Sequence, residues 1–302
     1  MSKRLVRFDW ALKKLLRNKA NFEILEGFIS ELLGRNIVIK TILESESNKH
    51  TKTDKQNRVD LLTELDSGEL VLIELQVESQ YDYFHRMVYG ASKLITDYMD
   101  AGFDYDKVRR VLSVNIVYFD LGHGIDYVYK GVTEFRGIHE NDLLNLSASQ
   151  KKEFYNLGRV SEIFPEYYIL KINGFNDVAN NTLDEWIYFL KNSDIKSDFK
   201  AKGLDKASEV LDIMKLSDED RVEYEGYIED RRVAESSIKT SWLEGKIEGE
   251  LKGKIEGKIE GKIEGKIEGK VEVALRLIDK GMSVEEAAEV AGMSVEELKS
   301  RV

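Results

Sequence analysis

The sequence predicts a mixed α/β protein, in which a compact unit of helix, three strands, helix and strand precedes a long helical C-terminal extension. Apolar and polar residues alternate with period two along residues 59–77, which is typical of paired strands. Apolar residues at helical spacing flank this region on both sides. The chain has 42% hydrophobic residues, enough for a core, and a single proline, Pro165, which suits long helices.

The first elements are helical. Residues 9–33 carry apolar side chains at helical spacing, Asn21 is a candidate cap between two helical pieces, and Gly34 is a candidate end. Residues 37–44 then predict a first strand, which a polar loop over residues 45–57 follows.

A hairpin over residues 58–77 supplies the second and third strands. Asp66-Ser67-Gly68 predicts a three-residue loop with glycine in the left-handed conformation. With this loop Leu65 pairs with Glu69, and Asp60 falls directly opposite Glu74. Directly opposed side chains lie about 4.5–5.5 Å apart at Cβ, which allows two carboxylates to share one hard cation. Because the two acids otherwise repel each other, the hairpin predicts a metal site.

A helix and a strand complete the unit. Residues 81–99 predict a helix and residues 108–119 an apolar strand, and shorter elements follow around residues 167–172 and 183–190, before a charged helical region at 203–243. The predicted buried face of the helix consists of Phe84, Val88, Ala91, Leu94, Ile95 and Tyr98. Its opposite face carries Arg86, Tyr89 and Lys93, which are candidates for phosphate contacts or for ordinary surface packing.

Composition excludes several classes of protein. The net charge of −11 argues against a protein that coats nucleic acid, although residues 3–19 carry seven basic side chains and one acid. The absence of cysteine excludes disulfides and thiolate zinc sites, and the four histidines lack zinc-ligand spacing. We find no signal peptide and no apolar run long enough to span a bilayer, so we expect a cytoplasmic protein without a membrane partner.

Glycine recurs at every fourth position from Gly245 to Gly269, and an apolar residue follows each glycine two positions later. Each glycine inside a helix costs about 1 kcal/mol relative to alanine, and most charged side chains four residues apart have the same sign. We therefore expect a helical stalk that becomes stable by pairing with a second copy, which makes the protein a homo-oligomer. The alternative is a flexible spacer.

The C-terminal residues predict two short helices. Ser-Val-Glu-Glu capping boxes begin at Ser283 and Ser294, and Gly292 lies in the turn between them. The spacing of Ala288, Gly292 and Leu298 is similar to that of a helix-turn-helix. The second helix is too acidic to favour DNA reading, which makes a packing or oligomer cap the preferred interpretation.

The hairpin resembles the PD-(D/E)xK nuclease motif, with Asp60 followed by Glu74-Leu75-Gln76. The whole chain resembles the recombination-promoting nucleases, also described as PD-(D/E)xK nuclease family transposases. Further similar segments are Asp9-Trp-Ala-Leu-Lys13, with leucine where the family usually has phenylalanine, Phe84-His-Arg-Met-Val-Tyr89, Ala101-Gly-Phe-Asp-Tyr105, Arg110-Val-Leu-Ser-Val-Asn-Ile116, the Glu-Gly-Lys repeats and the terminal Gly-x-Ser-x-Glu-Glu unit.

The resemblance implies a restriction-endonuclease-like αβββαβ core and a metal-dependent DNA endonuclease linked to recombination or mobile elements. It makes Asp60, Glu74 and the backbone carbonyl of Leu75 ligands of Mg²⁺ or Mn²⁺ and gives Gln76 the task of orienting water. Lysine is more usual at the last position of the motif, and glutamine supplies no charge, so slow turnover is an open alternative. Candidate contacts to DNA are Lys13, Arg86, Tyr89 and Lys93, Asp9 and Lys13 form a candidate pair within the first helix, and Glu26 or Glu44 is a candidate additional carboxylate.

We divide the chain into a nuclease core at 1–125, an α/β extension of it at 126–200, a charged helical region at 201–244, the stalk at 245–272 and a helix-turn-helix-like unit at 273–302. Two rival functions stay open. One is a nuclease-fold scaffold with little or no activity that binds DNA or protein through its helical tail, and the other is a nuclease that acts on RNA.

Overall fold

The computed structural model describes residues 5–43, 60–99, 104–105, 108–153 and 157–301. The chain divides into two compact units, Met1–Glu225 and Gly226–Val302. In the described residues, the first unit contains one six-stranded sheet with helices around it, and the second is helical. The predicted mixed α/β class with a long C-terminal helix is confirmed, while the division into five segments stays a prediction.

The sheet has the strand order β1-β2-β3-β4-β6-β5. Strands β1 to β3 and the β5–β6 pair are antiparallel, whereas β4 runs parallel to both β3 and β6. The strands are β1 (Ile39–Leu43), β2 (Leu61–Leu65), β3 (Leu70–Gln76), β4 (Val111–Val117), β5 (Val128–Gly131) and β6 (Glu166–Lys171). The helices are α1 (Phe8–Lys14), α2 (Phe22–Leu33), α3 (Tyr83–Asp97), α4 (Ala148–Glu153), α5 (Thr182–Asn192), α6 (Leu204–Val210), α7 (Asp218–Ile278), α8 (Val284–Ala291) and α9 (Val295–Lys299).

The hairpin has the predicted loop and register. Gly68 is left-handed with φ 85°, the amide of Leu65 donates to the carbonyl of Glu69 at 2.9 Å, and Leu61 pairs with Ile73. Gly34 ends α2 in the left-handed conformation, as predicted. Asn21 differs from its prediction, because its side-chain amide donates to the Leu15 carbonyl instead of capping α2.

The predicted buried face of α3 is wrong by part of a turn. The buried residues are Tyr83, Met87, Gly90, Ala91 and Leu94, whereas Phe84 and Val88 are 48% and 56% exposed. The Tyr83 ring packs edge-on against Phe119, with centroids 5.7 Å apart. With this contact, the buried face of α3 is the one that carries Tyr83 and Met87. Phe84 and Val88 are apolar and lie at helical spacing, so the sequence pattern predicted the wrong face of α3 as buried.

The region 203–243 is not entirely helical, contrary to the prediction. Between α6 and α7 the chain bridges to the N-terminal segment, where the Val6 amide donates to the Leu211 carbonyl at 2.8 Å and Leu5 pairs with Asp212. Asp212 caps a short turn through the Met214 amide at 3.0 Å. These nonlocal hydrogen bonds replace helical ones.

An aromatic cluster joins α1, α2 and α5 within the first unit. Phe8, Phe28, Trp186 and Phe189 are all buried and meet with ring centroids between 5.5 and 6.3 Å apart. One face of the sheet packs against α3, where Leu62 and Leu72 meet Ala91 and Leu94.

We expect Gly27→Ala to destabilise the first unit by roughly 1–3 kcal/mol, the range for overpacking. A Cβ atom at Gly27 would lie 2.1 Å from the carbonyl oxygen of Lys202 and 2.9 Å from the Cα of Gly203. Both neighbours are backbone and cannot swing away. Gly226→Ala is the matched control, because that helical glycine has no atom within 4 Å of its added Cβ, so alanine should stabilise there. Urea midpoints compare the two, and equal midpoints would contradict the close approach.

The second unit consists of most of α7 together with α8 and α9. The predicted capping boxes are present. Ser283 and Glu286 accept hydrogen bonds from each other's backbone amides at the start of α8, and Ser294 and Glu297 do the same at the start of α9. Gly292 makes the predicted turn with φ 67°. Ala274, Ala287, Ala288 and Leu298 form the buried cluster of this unit. Among the described helices, none has the length and apolar character that crossing a membrane requires.

Candidate active site

Two acidic residues meet at the end of the hairpin. Asp60 directly precedes β2, and Glu74 lies in β3 next to Ile73, which pairs with Leu61. Side chains alternate along a strand, so Glu74 lies on the sheet face of Leu72, which α3 covers, and the charge of Asp60 acts on it. The hairpin register agrees with the prediction, while the direct opposition of the two acids stays a prediction.

Glu74 is a buried carboxyl group with few partners. It is 2% exposed, and within the described residues neither of its carboxylate oxygens has a hydrogen-bond partner. Nε of Arg86 lies 3.7 Å from Oε2 of Glu74 and forms an ion pair with it. Burial raises the pKa of Glu74 to about 7, an effect that Arg86 opposes and the charge of Asp60 increases. The site thus holds an acid that is costly to ionise.

Asp60 is bound by the sheet and by the N-terminal region. Its Oδ2 accepts a hydrogen bond from the Leu75 amide at 2.8 Å, and its Oδ1 lies 3.6 Å from Nζ of Lys13. Arg17 donates to the Asp60 carbonyl at 2.7 Å. Asp9, the predicted partner of Lys13, accepts hydrogen bonds from Arg7 and from the Trp10 amide. The end of α1 therefore supplies cations to the acid pair.

The backbone of β3 presents a further oxygen to this region. The carbonyl of Gln76 accepts from the Tyr118 amide, which follows β4. Successive carbonyls in a strand point to opposite sides, so the Leu75 carbonyl is directed to the β2 side, where its own amide already binds Asp60. The side chain of Gln76 shares the face of Glu74, is half-buried and donates to the Glu78 carbonyl at 3.3 Å.

Two residues of the site were missed from the sequence. The buried Tyr83 hydroxyl donates to Oδ1 of Asn115 at 3.3 Å, and Asn115 pairs in register with Glu74. Asn115 also donates to the Tyr168 carbonyl at 3.2 Å. Burial, and next the charge of Glu74, raise the pKa of Tyr83. Asn115 and Ser113 are the two polar residues of the buried strand β4, and an amide in such a strand was the signal that could have identified this partner.

The remaining candidates lie elsewhere. Lys93 pairs with Asp97 at 3.2 Å on its own helix, and Tyr89 is 41% exposed. Glu26 accepts from the Ile39 amide at 2.7 Å and thereby holds β1, while Glu44 lies outside the described residues. Over the described ranges there is no group of three or more acidic or histidine side chains that could hold a metal. Within the described residues, Asp60 and Glu74 are thus a pair of acids without a third.

Comparison with known protein families adds an independent finding. A family model described as PD-(D/E)XK nuclease family transposase matches residues 6–241. The chain belongs to this family. The matched region includes the hairpin with Asp60, Glu74 and Gln76 as well as α3, and the resemblance inferred from the sequence is thereby confirmed. Comparisons with curated proteins and with solved structures found no match.

Membership of the PD-(D/E)XK nuclease family transposases indicates a nuclease linked to mobile elements. The mixed α/β sheet and the acid pair at the end of the hairpin are consistent with this family.

Proposed function

We propose that this chain is a metal-dependent DNA endonuclease whose centre is formed by Asp60 and Glu74. The observation that carries the proposal is the buried carboxyl group of Glu74, which has no hydrogen-bond donor among the described residues and lies beside a second acid. Burying an ionised carboxylate without hydrogen bonds costs several kcal/mol, which a single ion pair at 3.7 Å offsets only in part. A divalent cation would supply the missing charge.

The oxygen atoms present fit such a cation. Asp60, Glu74 and the Leu75 carbonyl provide hard oxygen ligands on neighbouring strands. Mg²⁺ is usually bound by one or two carboxylates and retains several water molecules or substrate phosphates, so a site without a third acid suits it, as it suits Mn²⁺. When bound, the ion would lower the pKa of water and neutralise charge on the phosphate.

The surrounding side chains supply substrate binding. Lys13, Arg17 and Arg86 bring three cations to the acid pair, and guanidinium and ammonium groups bind phosphate through charge-assisted hydrogen bonds. Gln76 lies on the same face as Glu74 and can orient water by hydrogen bonding. Its neutral amide cannot stabilise charge as the lysine usual in this motif would.

Nicking of supercoiled plasmid DNA tests the proposal. Wild-type protein with Mg²⁺ or Mn²⁺ should convert the plasmid to open circles, and Asp60→Ala should lower the rate on the order of 10²–10³-fold, equivalent to about 3–4 kcal/mol of transition-state stabilisation. The matched control is Asp66→Ala in the exposed loop of the same hairpin, which should cleave like wild type. Equal rates for Asp60→Ala and wild type would refute the site.

A second function is favoured by the glutamine at position 76. If the wild-type protein cleaves neither DNA nor RNA with either ion, the chain is instead a nuclease-fold scaffold. In that case the protein should still bind DNA or protein through its helical tail, and deletion of residues 245–302 should abolish binding. Running the same assay on RNA distinguishes an RNase from both.

A further inference from the structure

The stalk, residues 245–272, lies within the continuous helix α7. It contains five apolar residues spaced four apart that are 51–59% exposed: Ile247, Leu251, Ile255, Ile259 and Ile263. We propose that this isoleucine column binds the same column of a second copy of this chain, in parallel and in register. The helical conformation of the segment argues against the flexible spacer.

The position of each residue type around the helix defines what flanks the column. Consecutive residues are about 100° apart on a helix. In the regular Gly-Lys-Ile-Glu repeat, a lysine column therefore lies on one side of the isoleucine column and a glutamate column on the other, and the glycines lie nearly opposite. A repeat of four residues advances each column by about 40°, which makes it a right-handed stripe. Two such stripes remain in contact by winding around each other with right-handed twist.

The charges are poorly satisfied within one helix. In the regular repeats, the residues four apart are both lysine, as in Lys254 and Lys258, or both glutamate, as in Glu256 and Glu260. Like charges at this spacing destabilise a helix. A neighbouring helix with the opposite column would remove this repulsion.

Orientation follows from the order of the two columns. In a parallel pair related by a two-fold axis along the helices, the lysine column of one chain lies beside the glutamate column of the other. In an antiparallel pair, lysine would lie beside lysine and glutamate beside glutamate. Charge complementarity therefore selects the parallel pair.

The second repeat carries reversed charges and fixes the register. Glu250 stands where the other repeats have lysine, and Lys252 where they have glutamate. This reversal produces the intrahelical pairs Lys246–Glu250 and Lys252–Glu256, each at 3.9 Å. With both chains in register, each charged residue lies near the opposite charge two positions away in the same repeat of the partner subunit, as Glu250 lies near Lys252 of the partner subunit, and like charges become neighbours only where the reversed repeat adjoins the next repeats. A slip by one repeat increases the number of like-charge neighbours around the reversal, and the sequence thus disfavours that slip.

The partner is a second copy of this chain because the same repeat is complementary to itself. It has the same period, an apolar column of the same length and flanking charges that match in opposite sign, including the single reversal. The glycines point away from this contact, and no atom lies within 4 Å of the Cβ positions they would carry. Pairing would tether two copies of residues 1–225, which raises the local concentration of one copy near the other.

Sedimentation of the full-length protein tests the contact. Wild type should sediment as a dimer of the 34.7 kDa chain, and Ile255→Asn/Ile263→Asn should shift the mass by half. The control is Gly257→Asn/Gly265→Asn, which places the same side chain on the opposite face of the same repeats and should remain dimeric. A monomeric wild type, or a control that dissociates as the isoleucine variant does, would overturn the proposal. Because the measurement needs no cleavage, it is independent of the nuclease proposal.

Disulfide formation tests the orientation, since the chain has no cysteine of its own. Ile247→Cys alone should form a covalent dimer under mild oxidation if the pair is parallel and in register. An antiparallel pair centred on Ile255 would instead crosslink only in a mixture of Ile247→Cys and Ile263→Cys chains. Crosslinking confined to the mixture would overturn the parallel arrangement.

Discussion

Replacing Glu74 by glutamine should raise the free energy of unfolding at about pH 8 by roughly 3 kcal/mol when no divalent ion is present. The carboxyl group is buried without a hydrogen-bond donor in the described residues, and its pKa is raised from 4.5 to about 7. One pKa unit corresponds to about 1.4 kcal/mol between the two protonation states. Glutamine keeps the shape of the side chain and removes the charge.

The sign of the pH dependence follows from the raised pKa. Below about pH 4.5, Glu74 is protonated in both the folded and the unfolded chain, and burial carries no charge penalty. As the pH rises from about 4.5 to 7, the unfolded chain loses this proton first, and the stability of the wild type falls relative to Glu74→Gln. Above about pH 7 the difference is constant. Urea unfolding of both proteins between pH 4 and 8 measures this profile.

Glu64→Gln is the matched control, one strand away. Hydrogen bonds from Lys40 and Arg109 lower the pKa of Glu64, with Lys40 Nζ at 2.7 Å, so its charge stabilises the folded state above the unfolded pKa. Glutamine at position 64 should therefore destabilise the protein at neutral pH. If both variants changed stability in the same direction, the result would contradict the opposite pKa shifts of Glu74 and Glu64.

Divalent ions should reverse the effect at Glu74. Binding to the folded state adds stability as RT ln(1 + [ion]/Kd), about 2.7 kcal/mol when the ion is at 100 times Kd. Mg²⁺ or Mn²⁺ should therefore stabilise the wild type at pH 8 and leave Glu74→Gln nearly unchanged. The same variant should not cleave DNA. A cation that stabilised both proteins equally would bind elsewhere.

The acid pair could be predicted because the information that specifies it is local. Alternation along β2 and β3 and the Asp66-Ser67-Gly68 loop fix the register within about twenty residues of chain, so Asp60 and Glu74 come to the same end of the hairpin whatever surrounds them. The capping boxes at Ser283 and Ser294 are local in the same sense.

The surroundings of the acid pair were not predictable in the same way. Lys13 reaches Asp60 across 47 residues of sequence, and Asn115 meets Tyr83 because β4 lies beside β3. Helical spacing placed Phe84 and Val88 in the core, yet the contact between Tyr83 and Phe119 decided the rotation of α3. These contacts and the rotation of α3 depend on which helices and strands become neighbours in the fold. Local sequence patterns do not specify those neighbours.

Trp186→Ala should cost about 3–5 kcal/mol, the range for removing a large aromatic side chain from a core. Trp186 is fully buried and packs against Phe28 with ring centroids 5.5 Å apart and against Phe189 at 5.9 Å. Its indole Nε1 donates to the Lys202 carbonyl at 3.1 Å, the same oxygen that approaches Gly27. Alanine would leave both a cavity and an unpaired carbonyl.

The effect should reach the acid pair through α1. Phe8, which begins α1, packs against the Trp186 ring at 6.3 Å, and the same helix places Lys13 beside Asp60. Trp242→Ala is the control: this tryptophan is 64% exposed on α7, and its loss should change stability by about 0.5 kcal/mol or less. Urea unfolding followed by near-UV circular dichroism separates the two. Similar losses for both variants would mean that the aromatic cluster does not stabilise the first unit, and the anchoring of α1 would need another cause.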